Sequence, residues 1–131
     1  KTWVDRVVAV IDAGYAVSPD GMKAQIESGI IYGLSAAMYG EITIEQGAVD
    51  QSSFADYDAI RMHDAPVMET HIINSGAAMG GAGEPGTPGV APALANAIFD
   101  ATGKRVRTLP VIKADLRSDA EASPSVAAVG A

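Results

Sequence analysis

The segment Gly80-Gly81-Ala82-Gly83-Glu84-Pro85-Gly86-Thr87-Pro88 carries a single carboxylate on a backbone almost bare of side chains. Glycine admits positive φ and close backbone approach, Pro85 and Pro88 stiffen the path, and the N–H groups opening a following helix would present positive potential. This is one way to mount a catalytic carboxylate. It is also how an ordinary surface turn with a solvated glutamate is built, so both readings stand at this level. Other chemistry is poorly supported. His63 and His71 are the only histidines and neither has a partner at metal-ligand spacing, so no metal ligand is expected from this chain. His71 reads as solvent-facing or hydrogen-bonded in an alternating strand. There is no Gly-x-Ser-x-Gly elbow, and the glycine loop lacks the Lys-Ser or Lys-Thr of a phosphate loop. Asp56, Asp58 and Asp64 most simply keep an exposed stretch solvated, with Arg61 able to pair with one of them.

Elements that would position the loop follow from periodicity and punctuation. Val4, Val7, Val8, Val10 and Ile11 read as a well-buried strand closed by Asp12-Ala13-Gly14. Ser18 as N-cap, Pro19 at the first helical position, Asp20 at the positive end of the dipole and Gly40 as a stop delimit a long helix. Its core stripe is Met22, Ile26, Ile30, Leu34 and Met38. A neighbouring stripe, Gln25, Gly29, Gly33 and Ala36, is nearly bare beyond the glutamine, so something comes close there: either protein backbone or a bound ligand. Glu41 to Glu45 alternates as a short strand, Gln46-Gly47 turns it, and Val49 to Phe54 can pair back. Asp56 to Pro66 reads as loop and Val67 to Ile73 as strand. Val90, Leu94, Ala97, Ile98 and Ala101 give a second amphipathic helix, starting near Thr87-Pro88 or Ala91-Pro92 and stopped by Gly103. Val106 to Ile112 is expected as a last strand. The fold class expected is α+β, two main helices packed on a mixed β-sheet, with residues 1–112 as the structured segment and 113–131 as an extended tail.

A chain of 131 residues with 48% hydrophobic residues can bury a core. Its net charge of −7 and scattered basic residues argue against nucleic acid as a partner. No stretch approaches the roughly 20 apolar residues of a membrane-spanning helix. Cysteine is absent, which removes disulfides, thiolate zinc sites and cysteine-ligated iron–sulfur clusters from this chain. The first residue is Lys1, without an initiator Met or signal peptide, which suggests a piece of a longer product, by cleavage, splitting or truncation.

The order of the segments is itself recognisable. Ala24-Gln25-Ile26-Glu27-Ser28-Gly29-Ile30-Ile31-Tyr32-Gly33-Leu34-Ser35-Ala36-Ala37, then Tyr39-Gly40-Glu41-Ile42, then Tyr57 to Pro66 with Arg61-Met62, then Gly80 to Ala101 resembles the C-terminal part of the molybdenum-binding large subunit of the xanthine oxidase family. The isoquinoline 1-oxidoreductase and membrane-associated aldehyde dehydrogenase branch is the one it looks most like. The likeness covers about Val4 to Pro110.

The resemblance implies a molybdopterin cofactor, in bacteria commonly the cytosine dinucleotide, shared with another chain. It implies hydroxylation of an aldehyde or aromatic N-heterocycle with oxygen from water. In that family the glutamate matching Glu84 is the general base toward the Mo-bound hydroxide, and the glutamine matching Gln25 hydrogen-bonds the cofactor. Backbone at Gly81, Ala82 and Gly83 would line the same cavity. Such a base must be ionised yet sit where bulk water is excluded. Family large subunits run to several hundred residues, so this chain is expected to act only with a larger molybdenum-domain polypeptide. A separate iron–sulfur subunit carrying 2Fe-2S clusters, and a cytochrome c subunit as electron acceptor, are further partners that the resemblance implies. It also suggests a periplasmic location, with the cytoplasm as the alternative. One departure is the short connection from Ile73 through Asn74-Ser75 to Gly80, which leaves the substrate-side wall undefined. The opposing expectation is a non-catalytic module that keeps the fold, with Glu84 an exposed turn residue.

Overall fold

The computed structural model describes residues 2–117. Strand β1 (Arg6–Asp12) leads into helix α1 (Pro19–Met38), followed by a small hairpin of β2 (Ile44–Glu45) and β3 (Ala48–Val49). Strand β4 (Val67–Ile73) and helix α2 (Val90–Thr102) complete the framework. β1 and β4 pair in parallel from Arg6↔Val67 to Asp12↔Ile73, so β1, α1 and β4 form a crossover unit. The chain is α+β: two helices with parallel pairing in one sheet and antiparallel pairing in the other.

α1 forms where its signals place it. Ser18 has extended backbone as N-cap, Pro19 occupies the first turn and Asp20 lies at the positive end. Ile26, Ile30, Leu34 and Met38 are all buried and meet Val90, Leu94 and Ile98 of α2 in the core. At roughly 1.5–3 kcal/mol for each such side chain, this one stripe supplies much of the driving force for collapse. The helix ends at Tyr39, and Gly40 is required there because a Cβ would stand 2.9 Å from the backbone of Ala36.

Several expectations need correction. β1 is not buried on both faces: Ile11 is buried, whereas Val8 and Val10 are 50% and 62% exposed. Val7, Ala9 and Ile11 turn toward the core, and among the described residues β4 pairs with the strand on one edge. The segment expected as a last strand, Val106 to Ile112, forms no ladder. It is irregular up to Pro110, and residues Val111–Lys113 make a 3-10 turn that buries Val111. Among the described residues β1 and β4 pair only with each other, and Pro110 has no N–H to give to a ladder. The hairpin strands are two residues each, shorter than Glu41–Glu45 and Val49–Phe54, since Gln51 and Asp50 turn back to bond Thr43. α2 starts at Val90, between the two expected starts, with Pro92 tolerated in its first turn. Of the tail expected at 113–131, residues 118–131 lie outside the described residues.

The bare stripe of α1 is occupied by protein. A Cβ on Gly29 would lie 3.2 Å from Gly86 and Thr87, and one on Gly33 would lie 2.8 Å from the Thr87 carbonyl oxygen and from Val90 Cβ. Gly33→Ala is therefore expected to destabilise the fold by about 1–2 kcal/mol, overpacking outweighing the helix-propensity gain. Gly21→Ala, whose Cβ would meet only the Ser18 side chain at 3.0 Å, is expected to be neutral or stabilising. Paired thermal or urea melts distinguish the two. Equal Tm values would contradict the packing described.

Candidate active site

The parallel strands end on the same side, and the loops that leave them are stitched together there. After β1, Asp12 Oδ1 accepts from Gly14 N at 2.9 Å and from Ser75 Oγ at 2.9 Å. Ala16 N donates to Asn74 Oδ1 at 3.1 Å, Gly76 N to Gly14 O at 3.1 Å, and Gly80 N to Ala13 O at 3.0 Å. Gly14 has φ +81 and no room for a side chain, with the Ala77 carbonyl oxygen 2.5 Å from where a Cβ would be. Hydrogen bonds from Gly14 N first and Ser75 next hold the Asp12 carboxyl below its ordinary range. The glycine loop is thus anchored at its first residue by the turn that follows β1. The Asn74-Ser75 connection, which by sequence only looked undefined, is this anchor. A signal was present in the matching Asp12-Ala13-Gly14 and Asn74-Ser75-Gly76 strings at two strand ends.

From Gly83 onward the loop lies along α1. Gln25 Nε2 donates to the Gly83 carbonyl oxygen at 2.7 Å, and Thr87 Oγ1 donates to the Gly29 carbonyl oxygen at 3.2 Å. Between them Gly86 sits so close that a Cβ would be 2.5 Å from Ile26 O. A turn closes Glu84 to Thr87 through Thr87 N → Glu84 O at 2.9 Å. The sequence-predicted residues are brought together: Gln25, Gly81, Ala82, Gly83 and Glu84 occupy one loop and the helix beside it. Gln25 uses one amide N–H on the loop and keeps its carbonyl oxygen and second N–H.

Glu84 is exposed, at the edge of a depression of about 370 Å³ formed with Pro85, Thr87 and Pro88. The water-excluding cavity expected around it is not built by the described residues, none of whose helices or strands closes over the loop. Positions Gly80, Gly81 and Gly83 also face open space. Backbone around these three can be approached without steric penalty. α2 begins at Val90, six residues beyond Glu84.

Elsewhere the expected roles are modest. Arg6 forms a two-pronged contact with Glu69, Nε and Nη2 each 2.8 Å from a carboxylate oxygen, which depresses the Glu69 carboxyl. Asp56 accepts from Ser52 N and Ser53 N, and these bonds lower it to about 2. Arg61 reaches the Phe54 carbonyl oxygen. His63 and His71 are both exposed. Among the described residues no group of three or more His, Asp or Glu could hold a metal ion, and no helix is long and apolar enough to cross a membrane.

Residues 1–66 match the family described as the molybdopterin cofactor-binding domain. The chain is 37% identical over 108 residues to the beta subunit of isoquinoline 1-oxidoreductase from Brevundimonas diminuta, covering 82% of this chain and 14% of that protein. It is 39% identical over 111 residues to the membrane-bound aldehyde dehydrogenase of Gluconacetobacter polyoxogenes, covering 85% of this chain and 14% of that protein. In fold it resembles quinoline 2-oxidoreductase from Pseudomonas putida 86, with a TM-score of 0.76 at 20% identity over 85% of this chain and 15% of that one. A Cu,Mo-CO dehydrogenase gives a TM-score of 0.64 at 27% identity over 72% of this chain and 13% of that one. The chain belongs to the molybdopterin cofactor-binding domain family of xanthine oxidase-type oxidoreductases. It spans 14% of the length of each of the two curated relatives.

The anchor has a pH dependence of definite sign. A carboxyl whose folded-state pKa is depressed contributes stability that is full above its unfolded value near 3.8 and is lost as pH falls through the lower folded value. Amide exchange in residues 74–80 is expected to accelerate as pH falls below about 4, after correction for intrinsic rates, and this step should vanish in Asp12→Asn. An unchanged acid profile in that variant would show that Asp12 is not the anchor.

Proposed function

We propose that this chain supplies the base-bearing wall of the active site of a molybdenum hydroxylase that oxidises an aldehyde or an aromatic N-heterocycle. The observation that carries the reading is the junction of Gln25 with the Glu84 loop, 2.7 Å from amide nitrogen to the Gly83 carbonyl oxygen. It seats the neutral Gln25 amide on the backbone of the residue that precedes Glu84, in a loop nearly bare of side chains. The donor set fits a pterin-type cofactor: amide groups and open glycine backbone can bond its polar edge, and bulky side chains are absent from Gly80, Gly81 and Gly83.

When bound, such a cofactor supplies a two-electron acceptor beside which water-derived oxygen is delivered to substrate. The chain's own residues do the rest of the work assigned here. Glu84 accepts the proton from the oxygen nucleophile as it attacks the electrophilic carbon. Gln25 holds the loop with one N–H and offers its remaining amide groups to the cofactor. Gly81, Ala82 and Gly83 give backbone N–H and C=O without crowding substrate. Exclusion of water from Glu84 falls to the remainder of a large subunit, and electron exit to an iron–sulfur subunit with 2Fe-2S clusters and a cytochrome c. The cytosine dinucleotide form of the cofactor and a periplasmic site belong to the same proposal.

Glu84→Gln keeps shape and removes basicity. In the assembled enzyme at matched molybdenum content it is expected to lower kcat by at least ~100-fold, the lower end of what a positioned base contributes. Near-normal turnover would remove the base assignment. Gln25→Ala is expected instead to reduce bound molybdenum and pterin after gel filtration, with increased amide exchange across residues 82–87. Active native enzyme without molybdenum would sink the whole reading.

A further inference from the structure

A second concavity lies away from Glu84. A groove of about 1380 Å³ runs between β1 and α2, with Ile30 and Leu34 of α1 as its floor and Leu94 and Ile98 of α2 as its far wall. α2 packs on α1 but stands away from β1. All ten residues from 2 to 11 line the groove. In a strand, alternate residues point to opposite faces, so consecutive residues of both parities can share a groove only along the strand's edge.

The hydrogen-bonding side of that edge follows from the ladder. Val67 N donates to Asp5 O at 3.0 Å, so the peptide groups of Asp5 face β4. N–H and C=O of one residue point the same way and reverse at the next, which directs Val7, Ala9 and Ile11 to β4 and Arg6, Val8 and Val10 to the groove. A compact apolar ligand would cover the groove floor and leave this row of donors and acceptors without partners. An added strand satisfies both demands at once. Seven residues extend about 23 Å beside β1, and every second side chain would drop onto α1 and α2.

We propose that the free edge of β1 is a strand-addition site, filled by an extended segment with apolar residues at alternate positions from the remainder of a large subunit. The relatives supply the reason for that occupant, since most of their length lies outside the segment this chain matches. The proposal rests on the reading that the chain works within such a subunit.

The test compares the isolated 131-residue chain with the assembled complex containing the large-subunit remainder, by amide exchange resolved at single residues. Val8 and Val10 N–H are expected to exchange at least ~100-fold more slowly in the complex. Val8→Pro deletes only a groove-facing N–H and should leave the β1–β4 ladder and the melt of the isolated chain unchanged. It is expected to cut co-purification of the remainder at least ~10-fold, as is Ala97→Lys, which fills the groove from an exposed position on α2. Fast exchange at Val8 and Val10 in the complex, or normal co-purification of Val8→Pro, overturns the site. Slow exchange already present in the isolated chain overturns the occupant, because residues 118–131 or a second copy would then fill the edge. These readouts do not use molybdenum. A complex that lacks the metal yet is broken by Val8→Pro keeps this inference and refutes the catalytic reading, whereas a metal-loaded complex indifferent to Val8→Pro does the reverse.

Discussion

The contact of the Gly83–Val90 segment with the side-chain-free stripe of α1 is the constraint on which the rest of the structure depends. It removes side chains from both partners: Gly29 and Gly33 on the helix, Gly86 on the loop. With backbone against backbone, the segment is held by Gln25 Nε2 → Gly83 O and Thr87 Oγ1 → Gly29 O. Val90 then enters the core over Gly33, which fixes where α2 begins. Among the described residues no hydrogen bond or ion pair holds the Glu84 side chain, and only its backbone is fixed, by Thr87 N → Glu84 O. It is located by its neighbours' backbone, and a carboxylate placed that way keeps both oxygens for other work.

The second fixed point is the end of the parallel pair. Strands that run the same way deliver their exits to one side, and polar loops leaving them must satisfy their own backbone groups. Asp12, Gly14, Asn74 and Ser75 do this mutually, so the glycine loop is tied at Gly80 before it reaches α1. A loop with four glycines between 80 and 86 would otherwise be costly to order. Anchoring at both ends divides that cost between a hydrogen-bonded turn and a packed helix face.

Local signals were enough where the determinant is local. The limits of α1 follow from Ser18, Pro19 and Gly40, and β4 from an alternating run between Pro66 and Asn74. The stripe of small residues announced a close neighbour, but a periodicity in one helix cannot say what that neighbour is. The Gly86–Val90 segment answers it. Val106 to Ile112 reads as a strand on β-branched content, yet Pro110 has no N–H for a ladder and Val111 turns into the core in a 3-10 turn. Likewise the apolar run in β1 promised burial that the described residues do not supply, and Val8 and Val10 stand exposed. The Asp12–Ser75 link spans 63 positions, a distance over which sequence pattern carries no contact information.

Two kinds of incompleteness therefore differ in their physics. At Glu84 the protein is polar, open and locally satisfied, so exposure there costs little and leaves room for a ligand on one side. Along β1 the exposed surface is apolar and flanks a backbone edge that pairs with none of the described residues, which is unfavourable in water on both counts. The first surface can wait for a small molecule; the second is stabilised only by more protein. Both lie on a frame set by α1, whose Gln25 side chain holds the loop while Ile30 and Leu34 floor the groove.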